Sequence, residues 1–112
     1  MIAPRRFLPS ISALLSFEAM VRLGTATAAA QELNLTQSAV SRQIKTLEEQ
    51  LGVSLMIRQG RRLSPTQAGL DYVTQVRDIL NRLAQASVSA RTNPTGGTLD
   101  LAILPAFGMH WL

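Results

Sequence analysis

The sequence predicts a mainly α-helical fold: three helices, a short β-hairpin, a long fourth helix and a last strand with no sheet to join. Three observations carry this expectation. Apolar residues recur at helical spacing in separate stretches, each bounded by a glycine or a polar break. Two short runs flank Gln59-Gly60 in the manner of a hairpin. Hydrophobic residues make up 46% of the 112 but aromatic ones only 4%, so Leu, Ile, Val and Ala must build the core, which suits helices better than stacked sheets.

The first helix follows Pro9-Ser10. Ile11, Leu14, Phe17 and Val21 form its apolar stripe, and Gly24 stops it. The next segment, Thr25–Leu33, is short and alanine-rich, with Thr25 or Thr27 as its cap. Ala28–Ala30 leave little side chain between it and a neighbouring helix. Asn34-Leu35 makes the break, and Thr36 supplies an oxygen where a cap is wanted. The third helix carries Val40, Ile44, Leu47 and Leu51 as one buried stripe, and Gly52 ends it.

Leu55–Arg58 and Arg61–Ser64 are expected to pair around Gln59-Gly60 as a hairpin with a basic tip. Ser64 or Thr66 opens the longest helix, with Pro65 before or inside its first turn. This helix runs to roughly Ala90. Val73, Val76, Leu80 and Leu83 line one side of it, and Tyr72, Ile79 and Ala86 widen the stripe at near-heptad spacing. A helix this long exceeds what so small a domain can cover, so a second copy is expected against Tyr72, Val76, Ile79, Leu80, Leu83 and Ala86. Asn93–Gly97 reads as a linker, Thr98–Leu104 as a strand, and Pro105–Leu112 stays apolar.

Composition narrows the function classes. Eleven Lys and Arg against seven Asp and Glu give a net charge of +4, which favours a polyanionic partner. The basic residues Arg42, Lys45, Arg58, Arg61 and Arg62 gather between Gln37 and Thr66, against only Glu48 and Glu49. With no cysteine and a single histidine, His110, neither a disulfide nor a metal cluster is expected. Glu48 and Glu49 are adjacent, point in different directions on the solvated side of their helix and have no acid–base partner, so catalysis is not expected. No cofactor motif is present either. Ile11–Leu23 is too polar to span a membrane, and no signal peptide precedes it, so a soluble cytoplasmic protein is expected.

Two helices joined by a short turn and followed by a basic hairpin form a winged helix-turn-helix. Such a module needs a second helix that packs by one face and offers the other to base edges. Gln37, Ser38, Ser41, Arg42 and Lys45 lie opposite the Val40 stripe. Gln can bond adenine in pairs, Arg can bond guanine or a phosphate, and the free amides of a helix start favour a phosphate. The candidate DNA contacts are therefore Thr36, Gln37, Ser38, Ser41, Arg42 and Lys45 on the helix, with Arg58, Arg61 and Arg62 on the wing.

The stretch AAAQELNLTQSAVSRQIKTLEEQLGVSLMIRQGRRLSPTQAG, Ala28–Gly69, resembles the LysR-type transcriptional regulators almost position for position. The resemblance extends over Leu8 to Arg91. A fainter one, at Leu104-Pro105 and Trp111-Leu112, is to the glycine-cleavage activator-like and β-lactamase-regulator-like subgroups. It implies that Gln37 and Ser38 approach bases, that Ser41 and Arg42 contact phosphate or base edges, and that Arg61 reaches toward the minor groove beside Arg58 and Arg62. It also implies that the long helix pairs antiparallel with its twin. The sequence departs from the family at Gly24-Thr25-Ala26, where Gly-Ser-Phe is usual, and at Met56 and Ile57, where an aromatic residue and an acid are common.

The expected organisation is a DNA-binding domain over 8–65, with the helix-turn-helix at about 26–45 and the wing at about 55–64. A linker and dimerisation helix over 66–92, a hinge at 93–97 and the start of a truncated effector-binding domain over 98–112 follow. The expected function is sequence-specific regulation of promoters by a homodimer or higher homo-oligomer on double-stranded DNA. A small-molecule inducer is expected only where a full effector domain exists. The alternative is a truncated fragment acting through dimerisation alone, as a dominant-negative partner.

Overall fold

Each helix begins where a side-chain oxygen caps it. In the computed structural model of the chain, which describes residues 8–92, the order is α1 (Ile11–Leu23), α2 (Ala26–Leu33), α3 (Gln37–Leu51), β1 (Met56–Gln59), β2 (Arg62–Pro65) and α4 (Gln67–Thr92). Ser10 Oγ accepts from the Ala13 amide at 3.0 Å, Thr25 Oγ1 from Ala28 at 3.1 Å, Thr36 Oγ1 from Ala39 at 3.1 Å and Thr66 Oγ1 from Gly69 at 3.0 Å. Each start thus has one of its free amides satisfied. Of the alternatives read from the sequence, Thr25 and Thr66 do the capping. The expected hinge at 93–97 and the strand and apolar tail at 98–112 lie outside the described residues.

The tight turn between α2 and α3 depends on Asn34, which has φ 59° and is the one non-glycine positive φ among the described residues. Asparagine tolerates this region better than most residues. The Leu35 amide then reaches the Ala30 carbonyl at 2.9 Å, which closes α2 and delivers the chain to Thr36.

Phe17 and Met20 of α1, Val40 and Leu47 of α3, Leu55 and Val76 are all fully buried. Ala29 and Ala30 are buried too, and α2 packs against both α1 and α3 through these small residues. On α1 the buried side runs through Ala13, Leu14, Phe17 and Met20, while Ile11 is 45% exposed and Val21 half-buried. The stripe expected through Ile11 and Val21 is therefore rotated. Both α2 and α3 cover α1, so its buried arc is broader than, and displaced from, a single-sided stripe. Ala26, in place of the family's aromatic residue, is half-buried, and Met56 is buried while Ile57 is 51% exposed.

The hairpin is antiparallel, pairing Met56 with Pro65, Ile57 with Ser64, Arg58 with Leu63 and Gln59 with Arg62. Its two-residue loop is Gly60-Arg61, one position later than expected. Gly60 has φ 65° while Arg61 keeps a negative φ, the pattern of a type II′ turn, which takes glycine first. Centring the turn on Gln59-Gly60 would have demanded a less accommodating conformation of Gln59.

Gly69 sits where α4 meets the root of the wing. The Thr66 amide donates to the Leu55 carbonyl at 2.9 Å, and a Cβ on Gly69 would run into that same carbonyl oxygen. Gly69→Ala is expected to cost about 1–3 kcal/mol, because the obstacle is backbone and cannot rotate away. Thermal unfolding checks this; a variant as stable as its parent would mean that the Leu55 peptide yields freely.

Two compact units divide the chain, one ending at Val76 and one beginning at Arg77. The first takes in the opening turns of α4, where Val73 and Val76 are buried and the Tyr72 ring lies tilted against that of Phe17 with ring centres 5.8 Å apart. In the second, Leu80 and Val88 are buried, and Ile79 and Leu83 are exposed.

Candidate nucleic-acid interface

One side of α3 belongs to the core and the other to solvent. Gln37, Ser38, Ser41, Arg42 and Lys45 are all exposed, as is the cap residue Thr36. At 3.6 residues per turn these five helix residues project within an arc of about 140°. Thr36 Oγ1 lies 3.5 Å from Ser38 Oγ, so the two hydroxyls stand together at the helix start. No carboxylate among the described residues pairs with Arg42 or Lys45.

The wing arginines divide into two kinds. Arg61 is in the turn and Arg58 on β1; both are exposed and have no ion-pair partner among the described residues. Arg62 is exposed as well, but its guanidinium lies against Gly24 at the C-terminal end of α1. There the Leu63 amide also donates to the Gly24 carbonyl at 3.4 Å. A cation beside a helix C-terminus meets the negative end of the helix dipole. Arg62 thus joins the wing to α1, while the side chains of Arg58 and Arg61 stand exposed.

Two residues of α3 that sequence reasoning missed hold this surface in place. Ser16 Oγ, fully buried on α1, donates to Gln43 Oε1 at 2.5 Å, and Gln43 Nε2 donates to Ser12 Oγ at 2.9 Å. Gln43 therefore fixes the rotation of α3 on α1 instead of joining the outward face. The available signal was Ser12 and Ser16, one turn apart on a helix otherwise read as apolar. Glu48 was expected on the solvated side; instead its carboxylate accepts from the amides of Leu55 at 2.7 Å and Met56 at 3.2 Å. It turns toward the wing because the chain after Gly52 folds back alongside the last turns of α3.

A further charge cluster ties α1 to α2. Arg22 donates from Nε to Glu18 Oε2 at 3.1 Å and from Nη1 to Glu32 Oε1 at 2.9 Å. Hydrogen bonds to Glu32 and then Glu18 push the Arg22 guanidinium further above its ordinary pKa. The bond from Arg22 holds the Glu32 carboxyl below the usual carboxylate range. Two of the acids are thus engaged locally by an arginine.

Among the residues expected at a helix-pairing seam, Ile79, Leu83 and Ala86 are exposed. Val76 and Leu80 are buried within the single chain and Tyr72 is half-buried. No three His, Asp or Glu residues among those described could gather round a metal ion, and no described helix is long and apolar enough to cross a membrane.

A capped second helix with an open polar and basic face, joined to a basic hairpin, defines a winged helix-turn-helix of the nucleic-acid-binding class. The family model for the bacterial regulatory helix-turn-helix protein, lysR family, matches residues 11–70, from the start of α1 into α4. The chain belongs to this LysR family.

The glycine cleavage system transcriptional activator of Escherichia coli (strain K12) is 40% identical over 105 residues, covering 94% of this chain and 34% of that protein. The chain therefore spans about a third of the length of this curated relative, which is a transcriptional regulator and not an enzyme. Among solved structures, the CbnR_DBD–DNA complex matches with TM-score 0.69 and 32% identity, over 73% of this chain and 94% of that one. The BenM_DBD/benA site 1 DNA complex matches with TM-score 0.69 and 30% identity, over 73% and 95%. The regulator's helix-turn-helix is thus present nearly whole, as a DNA-binding domain of the LysR type.

Proposed function

We propose that this chain regulates transcription by binding promoter DNA as a homodimer, with α3 in the major groove and the wing beside it. The observation that carries the reading is the α3 face from Gln37 to Lys45, which is exposed and unopposed by any paired carboxylate among the described residues. Gln37, Ser38, Ser41 and Arg42 approach base edges and nearby phosphates, Thr36 and Lys45 flank them, and Arg58 and Arg61 hold phosphates at the wing. Solved relatives carrying the same fold are bound to DNA, which supports this reading.

Residues 8–65 supply the DNA-binding domain and 66–92 the linker helix. Ile79, Leu83 and Ala86 recur one turn apart on an exposed side of that helix, which supports pairing with a second copy. In this reading 93–97 is the hinge, 98–112 opens an effector-binding domain, and the protein works in the cytoplasm.

Selection from a pool of random duplexes at two salt concentrations tests the proposal. A recovered dyad with half-sites about 34 Å apart, or a multiple of that spacing, is the expected result. Affinity should fall linearly on a log–log plot against salt. Retention without enrichment would remove base reading, and no retention by a folded dimer would sink the proposal.

A further inference from the structure

Five of the hydrogen-bonding groups at the root of the wing are satisfied from outside the hairpin ladder. Hydrogen-bonded pairs alternate along the hairpin from Gln59–Arg62 beside the loop, so Met56–Pro65 is a non-hydrogen-bonded pair and the Met56 amide and carbonyl both turn away from β2. Ser54 Oγ donates to this carbonyl instead, at 3.2 Å. Glu48 takes the Met56 amide and the Leu55 amide together. The Leu55 carbonyl accepts from the Thr66 amide, and Thr66 Oγ1 donates to the Ser54 carbonyl at 2.7 Å. Leu55 is fully buried and Met56 nearly so, so removing the Glu48 acceptor would strand two covered donors.

Glu48 is itself part of α3. Its own carbonyl accepts from Gly52 at 2.8 Å to end the helix, and its side chain picks up the strand that follows. One residue thus links the helix bearing Gln37–Lys45 to the strand bearing Arg58.

We propose that Glu48 is a positioning residue for DNA binding, its carboxylate holding the amides of Leu55 and Met56 so that wing and recognition helix reach the duplex together. This rests on the DNA-binding reading above. Glu48 touches no DNA in this arrangement. Its negative charge by itself opposes binding to a polyanion, so a purely electrostatic role and a positioning role predict opposite signs for its neutralisation. Both amides reach the same oxygen, Glu48 Oε2, so Gln in its place keeps the shape but offers them a neutral acceptor where a charged one strengthened both bonds.

The test compares the full chain with E48Q, E48A and the neighbouring exposed control E49Q. Amide exchange is measured first, without DNA. E48Q is expected to speed exchange at Leu55, Met56 and through the wing while leaving the first turns of α3 as they were; unchanged exchange at those two amides overturns the proposal whatever the DNA results.

Affinity is then measured on a duplex carrying the recovered dyad and on a random-sequence duplex of equal length. E48Q should bind about tenfold more weakly, E48A should be weaker still if it folds, and E49Q should bind as well as the parent or better. The added loss from removing Arg58 and Arg61 should shrink by roughly fivefold in the E48Q background, while that from removing Arg42 should not. Tighter binding by E48Q, or equal coupling of E48Q to Arg42 and to the wing, overturns the positioning role. Failure of the parent to bind either duplex refutes the DNA-binding reading and the role built on it, while the exchange result separately reports whether Glu48 holds the wing.

Discussion

Replacing Phe17 by alanine is expected to lower stability by about 3–5 kcal/mol, the largest loss from any single truncation considered. Phe17 is fully buried on α1, the helix packed by both α2 and α3, and its ring is tilted 36° against that of Tyr72. Removing it forfeits the transfer energy of the ring and leaves a cavity that helices on two sides cannot close. A domain of this size has in total about 5–15 kcal/mol to lose. The midpoint of thermal unfolding should therefore fall by on the order of 20 °C.

Phe17→Leu retains much of the volume and should lose well under half as much. Tyr72→Phe keeps the ring contact and removes the phenol, whose pKa burial raises above the ordinary value. Its unfolding midpoint should stay near that of the parent. Unfolding followed by helical circular dichroism measures all three; a drop below about 5 °C for Phe17→Ala would move the centre of the core elsewhere.

Arg42→Ala is expected to leave folding intact and to weaken DNA binding by roughly tenfold to a hundredfold at each half-site, about 1–3 kcal/mol. Arg42 is exposed and without an ion-pair partner among the described residues, so its removal strands no buried group. In a symmetric dimer the loss is taken twice. If the guanidinium reads a base, selection with the variant should relax at one position in each half-site and leave the others sharp. Arg61→Ala should behave differently: a uniform loss across sequences and a salt dependence shallower by about one counterion per subunit. Arg62→Ala should act chiefly on stability of the wing, since its guanidinium lies against the end of α1. Equal salt slopes for Arg61→Ala and the parent would remove the wing from the interface.

How far the interface could be read in advance depends on the range of the forces involved. The exposed side of α3 was legible because Val40, Ile44 and Leu47 mark its buried side, and helical periodicity then fixes which residues face away. Glu48 and Gln43 flank that stripe and could have turned either way. Their direction follows from donors and acceptors brought close only by folding: the Leu55 amide, and the hydroxyls of Ser12 and Ser16. The same holds for Arg62, one of three similar arginines until β2 is laid against Gly24.

The sequence by itself placed the helix starts and ends to within a residue or two, leaving open only Thr25 against Thr27 and Ser64 against Thr66 as caps, because Ser10, Thr25, Thr36 and Thr66 bond to amides three residues away, and Gly24, Asn34 and Gly52 take the turns that follow. Such bonds need no distant partner. Which flanks are covered was decided only in three dimensions. Ile11 stays exposed, Met20 and Val76 are buried, and Gly69 is needed where Leu55 passes. In each case the deciding atom belongs to another element, and its approach depends on how whole helices pack, which residues within a few turns of each other cannot specify.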